Sequence, residues 1–338
     1  MKKIFIIIIS FFVLYEGKAQ DPQFSQFYAF PMYLNPAFAG TNLKTRVNAI
    51  YRSQWSALPG SFTTYGFSAD QNVEEYNSGF GVMFMQDVAG SAQYQRTEVS
   101  GLYSYKIQLN NDWVVRAGLQ VTYLRPSIDY DQLVFGSQLD PDQGFTGASS
   151  GENLRGVAQK HLFDFSTGIL AYNEMFWFGS SIHHMNRPDL SFEDQNPSLL
   201  PVKFSLHGGA KIPMVRNKYT NHQSEISISP AFNYRSQANF DQLDVGMYVN
   251  YDPVVIGAWY RGIPVLKQYD AGYANNDAVT FLVGFHQDFL TIGYSYDLTI
   301  SQLGPSTGGS HEISVGYEFY YEKKRKKQYD KYVPCPRF

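Results

Sequence analysis

Leu290-Thr291-Ile292-Gly293-Tyr294-Ser295-Tyr296-Asp297-Leu298-Thr299-Ile300 alternates large apolar residues with small or polar ones without a break. Successive side chains of a β-strand point to opposite faces, so this stretch builds one apolar face and one polar face. The same pattern returns in 312–321, where Ile313, Val315, Tyr317, Phe319 and Tyr321 alternate with Glu312, Ser314, Gly316 and Glu318. In 224–235, Ile226, Ile228, Phe232 and Tyr234 oppose Glu225, Ser227, Asn233 and Arg235. Charged groups on one face and large apolar groups on the other fit a strand between a wet lumen and lipid.

Working outward, such segments number about fourteen, each near the 9–11 residues that cross a bilayer when tilted. They span 44–56, 61–70, 78–87, 94–108, 112–125, 160–172, 175–186, 202–215, 223–236, 240–250, 253–262, 277–287, 289–300 and 311–321. With a periplasmic start, odd-numbered links face outward and even-numbered links face the periplasm. Even links include the minimal turns Asn110-Asn111-Asp112, Asn173-Glu174, Asn250-Tyr251-Asp252 and Gln287-Asp288. The long links, Pro126 to Gln159, Arg187 to Pro201, Gly262 to Asn276 and Ser301 to Ser310, are all odd. Short periplasmic turns with long outer loops belong to membrane barrels, and a soluble β-sandwich gives no reason for them. The predicted fold is an all-β, transmembrane antiparallel barrel over 44–321.

Composition agrees. Aromatic residues make up 17%, with 26 Tyr and 26 Phe, yet mean hydropathy is only −0.29. Strands that face lipid on alternate residues explain both values, and Tyr and Trp suit the two membrane interfaces. Residues 1–19 read as a signal peptide: Lys2 and Lys3, an apolar run from Ile4 to Leu14, then Gly17 and Ala19 before the cleavage point. Net charge is −3 overall, but the end segment 322–338 carries seven Lys or Arg against Glu322 and Asp330. The barrel body is therefore acidic and the basic character sits in one tail. Cys335 is the single cysteine, so no intrachain disulfide forms.

Nothing in the chain assembles a catalytic site. His183 and His184 are the one close histidine pair, and adjacent strand positions would send them to opposite faces, unable to share a metal. Asp140-Pro141-Asp142-Gln143-Gly144 lacks the ordered ligand series of a calcium loop. No phosphate loop, nucleophile elbow or Cys-His arrangement occurs, so neither enzyme activity, metal nor cofactor is expected. Gly79, Gly81, Gly208 and Gly209 fall within strands, where a bend or close backbone approach explains them. The run Lys323, Lys324, Arg325, Lys326, Lys327 is read as a periplasmic docking arm, a contact to anionic headgroups or a solvated end. The export signal argues against nucleic acid.

The mature start reads Asp21-Pro22-Gln23-Phe24-Ser25-Gln26-Phe27-Tyr28, then Tyr33-Leu34-Asn35-Pro36-Ala37-Phe38-Ala39-Gly40. This resembles the opening signature of the PorP/SprF family of type IX secretion system membrane proteins, with Phe27 and Phe38 where Tyr is common. The strand count is fatty-acid-transporter-like, and the resemblance implies an outer-membrane barrel needed for secretion or surface attachment of particular cargo, such as gliding adhesins carrying a C-terminal export domain. It also implies contact with the periplasmic ring of the machinery and with outer-membrane lipid. It carries over no catalytic residue. Pro22, Pro31 and Pro36 limit helix and sheet in 20–43, so this segment is expected as an irregular plug in or across the periplasmic mouth, with both termini periplasmic. The competing reading is a barrel that carries a small hydrophobic solute. A continuous apolar lumen would favour transport, and a blocked one would favour a binding scaffold.

Overall fold

The computed structural model describes residues 21–338 apart from 91–92, 141, 143, 148–153, 155, 194–195, 216–225, 265–266, 271–272, 321–332 and 336–338. The alternation that opens the sequence is realised inside out. Along Leu290–Thr299, Thr291, Ser295 and Asp297 are buried while Leu290, Ile292 and Tyr294 stand exposed. A water-soluble sheet would hide the opposite face. This one presents hydrocarbon to its surroundings, as a strand in lipid must.

Fourteen such strands form the wall. The first seven are β1 (Thr45–Gln54), β2 (Phe62–Val73), β3 (Ser78–Ala89), β4 (Tyr94–Gln108), β5 (Val114–Asp129), β6 (Leu162–Tyr172) and β7 (Phe176–His183). Next comes β8 (Lys203–Ala210), which resumes past Lys211 as Ile212–Val215. The rest are β9 (Ile226–Gln237), β10 (Phe240–Tyr251), β11 (Val254–Gly262), β12 (Asn276–Gln287), β13 (Leu290–Thr299) and β14 (Ser310–Phe319). Each pairs antiparallel with its chain neighbours, and β1 pairs with β14 from Thr45↔Phe319 to Gln54↔Ser310. That last ladder closes the barrel, so the first and last wall strands pair with each other and do not stand as open edges in lipid. No helix among the described residues is long and apolar enough to cross a membrane.

The expected strand count and order stand, with physical reasons where boundaries moved. β5 runs on to Asp129 because Ser127–Asp129 pairs with the short strand Val157–Gln159 inside the long loop. β7 stops at His183 because His184 adopts φ 58, which breaks the pleat. Short and long links divide as expected, except that the two-residue turn Ala238-Asn239 is odd and the link 216–225 is even.

The sequence left open whether the lumen is open or plugged, and here residues 21–42 run down inside it. They fold locally as a single helical turn, Pro31–Leu34, and a 3-10 turn, Pro36–Phe38, each opened by a proline whose missing N–H costs nothing at that position. The segment also begins at the opposite end from the one anticipated. Asp21 contacts Arg96, Lys203 and Gln237, all at the long-loop end of their strands, whereas Phe319 ends the wall at the short-turn end. From Asp21 at the long-loop end, the described segment descends the lumen and joins β1 at the short-turn mouth.

Candidate functional site

The inward wall and the segment it encloses form an extensive polar core. Asn35 and Gln26 have no exposed surface, nor do Ala37 and Ala39. Each buried polar group of the segment must find a partner in the wall or pay for its desolvation, and the wall is built to provide them.

At the long-loop end Asp21 is the hub. Its Oδ1 lies 3.0 Å from Arg96 Nη2, and its Oδ2 lies 2.5 Å from Lys203 Nζ and 2.7 Å from His184 Nε2. His184 in turn reaches Asp164 Oδ2 with Nδ1 at 3.0 Å. Burial alone would raise the Asp21 carboxyl, but His184, Lys203 and Arg96 hold it well below the usual carboxylate range. Burial likewise opposes charge on His184, and Asp21 and Asp164 overcome it, pushing the imidazole up to about 9. The left-handed turn at His184 brings both histidines to the interior, their rings 6.2 Å apart. The argument that adjacent positions send them to opposite faces therefore does not hold here. Among the described residues no group of three or more His, Cys, Asp or Glu is placed to hold a metal.

One turn further in, Glu312 accepts the backbone N–H groups of Ser25 and Gln26 at 2.9 and 2.7 Å. Ser25 Oγ donates to Asp297 Oδ2 at 2.6 Å and accepts from Arg52 and Arg261 at 3.0 and 2.9 Å. Gln26 Nε2 donates to the Glu312 carbonyl, and its Oε1 accepts from Ser314 Oγ at 2.7 Å. Bonds of this charge-assisted kind are the strong ones.

The middle is apolar and fitted by shape. Phe24 sits edge-on to Phe30 and Tyr33, whose hydroxyl donates to the Pro22 carbonyl at 2.7 Å. Phe27 packs on Trp259 and Tyr28 on Trp177, whose Nε1 donates to the Tyr28 hydroxyl at 2.9 Å. Asn35 is the pivot: its Oδ1 accepts from Ala37 N at 2.9 Å, and its Nδ2 donates to the Ile169 and Ser180 carbonyls. The wall makes room with glycine. A Cβ on Gly118 would fall 2.3 Å from Ala37 N, and one on Gly168 would fall 2.0 Å from Asn35 Oδ1. Gly79 and Gly81 serve the same purpose beneath Ala39 and Met32, as close backbone approach predicted.

At the short-turn end the Ala39 carbonyl accepts from Ser104 Oγ at 2.6 Å and Arg116 Nη1 at 3.2 Å. Gly40, at φ 63, donates its N–H to Asp70 Oδ2 at 2.8 Å, and Arg46 grips that same carboxylate with both Nε and Nη2. Gly40 approaches Gly79 so closely that a Cβ would lie 2.5 Å from its Cα. Val333 is buried against the cluster that includes Tyr28 and Ala29, with Cys335 packed beside it. The run Lys323 to Lys327 lies outside the described residues.

Every residue of the two sequence blocks from Asp21 to Gln26 and Asn35 to Gly40 thus lies along this one path, with Pro22 and Gln23 lining the cavity above it. Sequence reading missed the wall partners, Arg52, Arg96, Asp164, His184, Lys203, Asp297 and Glu312. Each strand member of that set occupies a polar position of an alternating strand, and that signal alone does not tell water from a protein segment as the neighbour. Above Asp21–Gln23 a cavity of about 580 Å³ opens between the outer loops, with Arg235, Arg261, Asp87 and Asp277 among its walls. Asp21, Pro22 and Gln23 of the segment are among its lining.

Against known proteins, residues 16–317 match the family described as type IX secretion system membrane protein PorP/SprF. No curated protein sequence matches the chain. Among solved structures, a triple mutant of the Rhodopseudomonas blastica porin is 8% identical, covers 82% of this chain and 99% of that chain, and gives a TM-score of 0.32. The monoaromatic hydrocarbon channel CymD is 12% identical, covers 87% of this chain and 93% of that chain, and gives a TM-score of 0.40.

Proposed function

The chain belongs to the PorP/SprF family of type IX secretion system membrane proteins, and from that premise we propose that it is a plugged outer-membrane scaffold rather than a pore. Its outer loops hold particular secreted cargo, gliding adhesins with their C-terminal export domains among them, for release or attachment at the surface. Its short-turn side, with the basic run Lys323–Lys327, meets the periplasmic ring of the machinery. A fold alone does not assign such a role. The observation that supports this reading over carriage of a small hydrophobic solute is the lumen, filled from Asp21 to Asn42 by buried, hydrogen-bonded chain. A solute path needs a continuous opening, and the floor of the cavity at the long-loop end is made by Asp21, Pro22 and Gln23 of this same segment.

Deleting the gene in its host and comparing the surface proteome tests the role. The expected outcome is loss of one subset of type IX cargo from the surface with the rest unchanged. Unchanged export of every cargo would sink the proposal. Affinity capture of the tagged barrel from native membranes, read by mass spectrometry, then identifies which ring component and which cargo accompany it.

A further inference from the structure

The cavity at the long-loop end has a corner that the plug does not use. Cross-strand register lines up Thr64, Asp87 and Arg96 of β2 to β4 on the inward face. Two residues further toward the outer loops, Phe62, Ala89 and Tyr94 form the next inward row, and both rows line the cavity. Phe62 and Tyr94 stand on either side of Ala89, two strand spacings apart, about 10 Å between backbones. A flat group touching a ring on each side needs about 7–8 Å between them. The small Ala89 side chain leaves that gap open above Asp87. Trp55 packs edge-on against Phe62, with ring centroids 5.5 Å apart. Its left-handed backbone, at φ 56, is held by its N–H donating to the Gly309 carbonyl at 2.8 Å.

The corner carries spare negative charge although cations surround it. Arg52, Arg96, Lys203, Arg235 and Arg261 also line the cavity, and each already has a carboxylate partner. Arg96, which faces Asp87 across the ladder, turns instead to Asp21 at 3.0 Å and Glu98 at 2.8 Å. Asp87 keeps one hydrogen bond among the described residues, Thr64 Oγ1 donating to its Oδ1 at 2.6 Å. Its Oδ2 therefore has acceptor capacity to offer a ligand in the cavity.

We propose that this corner binds an arginine side chain of a polypeptide reaching in past the outer loops, its guanidinium between Phe62 and Tyr94 and its N–H groups donating to Asp87. A guanidinium is flat, stacks on aromatic faces and presents its donors in its own plane, whereas an ammonium is compact and more strongly hydrated. A quaternary ammonium would leave Asp87 without a donor. The cavity, of about 580 Å³, is far larger than one guanidinium and extends from this corner to Phe240 and Asp277, giving room for neighbouring residues of a chain. The assignment rests on the reading of the long-loop side as the face that receives secreted polypeptide.

The test is isothermal titration of the full-length barrel in detergent with a blocked glycine-arginine-glycine tripeptide, and with its citrulline counterpart, which keeps the shape and loses the charge. Wild type is expected to bind the arginine peptide about tenfold more tightly. Asp87→Asn, which can still accept from Thr64, and Ala89→Leu, which fills the gap, are each expected to abolish that preference. Asp277→Asn removes a carboxylate from β12 across the cavity and is expected to keep it. Heat-modifiable migration on gels verifies that each barrel is folded. Equal binding of the two peptides by wild type, an unchanged preference in Asp87→Asn or Ala89→Leu, or an equal loss in Asp277→Asn overturns the assignment. Methylguanidinium binding as tightly as the arginine peptide overturns a polypeptide as the carrier. Cargo lost from the surface on gene deletion, with no arginine preference in the barrel, strikes this inference alone; unchanged cargo with the preference intact strikes only the secretion role.

Discussion

At the residue scale, the outer end of the plug is held by one carboxylate shared among three cations. Asp21 meets Arg96, Lys203 and His184 in the interior, where pairing decides whether a charge is tolerable. The two titrations set the pH range of this hold. His184 binds its proton more tightly in place, at about 9 against an ordinary 6.5, so its contribution is full below 6.5 and is lost as pH rises through 9. Asp21 is depressed, so its contribution is present above its ordinary 3.8 and is lost only in stronger acid. The hold is therefore strongest from about pH 4 to 6.5 and fades toward pH 9, by an amount on the order of 3 kcal/mol. Hydrogen exchange of the 21–26 amides, corrected for intrinsic rate, should lose roughly two orders of magnitude of protection between pH 6.5 and 9.5. Asp21→Asn should remove that step by leaving the protection low throughout. A flat profile in wild type would show that His184 plays no part.

Among the elements, wall and plug are fitted to each other by what the strands lack. Gly118 on β5 and Gly168 on β6 stand where Ala37 and Asn35 press against the wall, and any side chain there would collide with backbone or with a buried amide. Gly118→Val leaves the ladder hydrogen bonds of β5 intact and favours a strand by its branching. It should therefore fold as a barrel and still fail to seat the plug. The expected reading is heat-modifiable migration like wild type, together with cleavage by added protease within 21–42, where wild type resists. Resistance equal to wild type would mean that the wall yields instead. These elements also show what the sequence made legible. The strands were readable because each repeats one rule, apolar out and polar in, over eight or more residues. Gly118 and Gly168 were not, because a glycine in a strand looks the same beside a plug, a bend or a ligand.

For the molecule as a whole, filling the lumen turns a channel architecture into a closed body. Removing residues 21–42 takes away the chain that blocks the bore while leaving the closing ladder between β1 and β14 untouched. Planar-bilayer recordings should then show steady ion conductance for the deletion variant and none for wild type. Conductance in wild type at neutral pH would contradict a seated plug. The lumen wall keeps Arg52, Arg116, Arg261, Asp244, Asp297 and Glu312 on its inner face, so the opened bore should favour water and ions over apolar solutes.

The sequence by itself determined the barrel: its strand number, its order and its lipid-facing side. Those follow from a period of two residues, which is local and survives any error in boundary. It also marked the blocks Asp21–Gln26 and Asn35–Gly40 as a unit, through their resemblance to one family. What only the tertiary structure decided is where that unit goes and what it touches. A polar inward face satisfies water and satisfies a hydrogen-bonded segment equally well, so alternation cannot tell an open bore from a filled one. Nor can it give direction. That Asp21 lies beside the outer loops rather than at the short-turn mouth rests on pairs such as Asp21 with Lys203 and Gly40 with Asp70, whose partners come from distant parts of the chain.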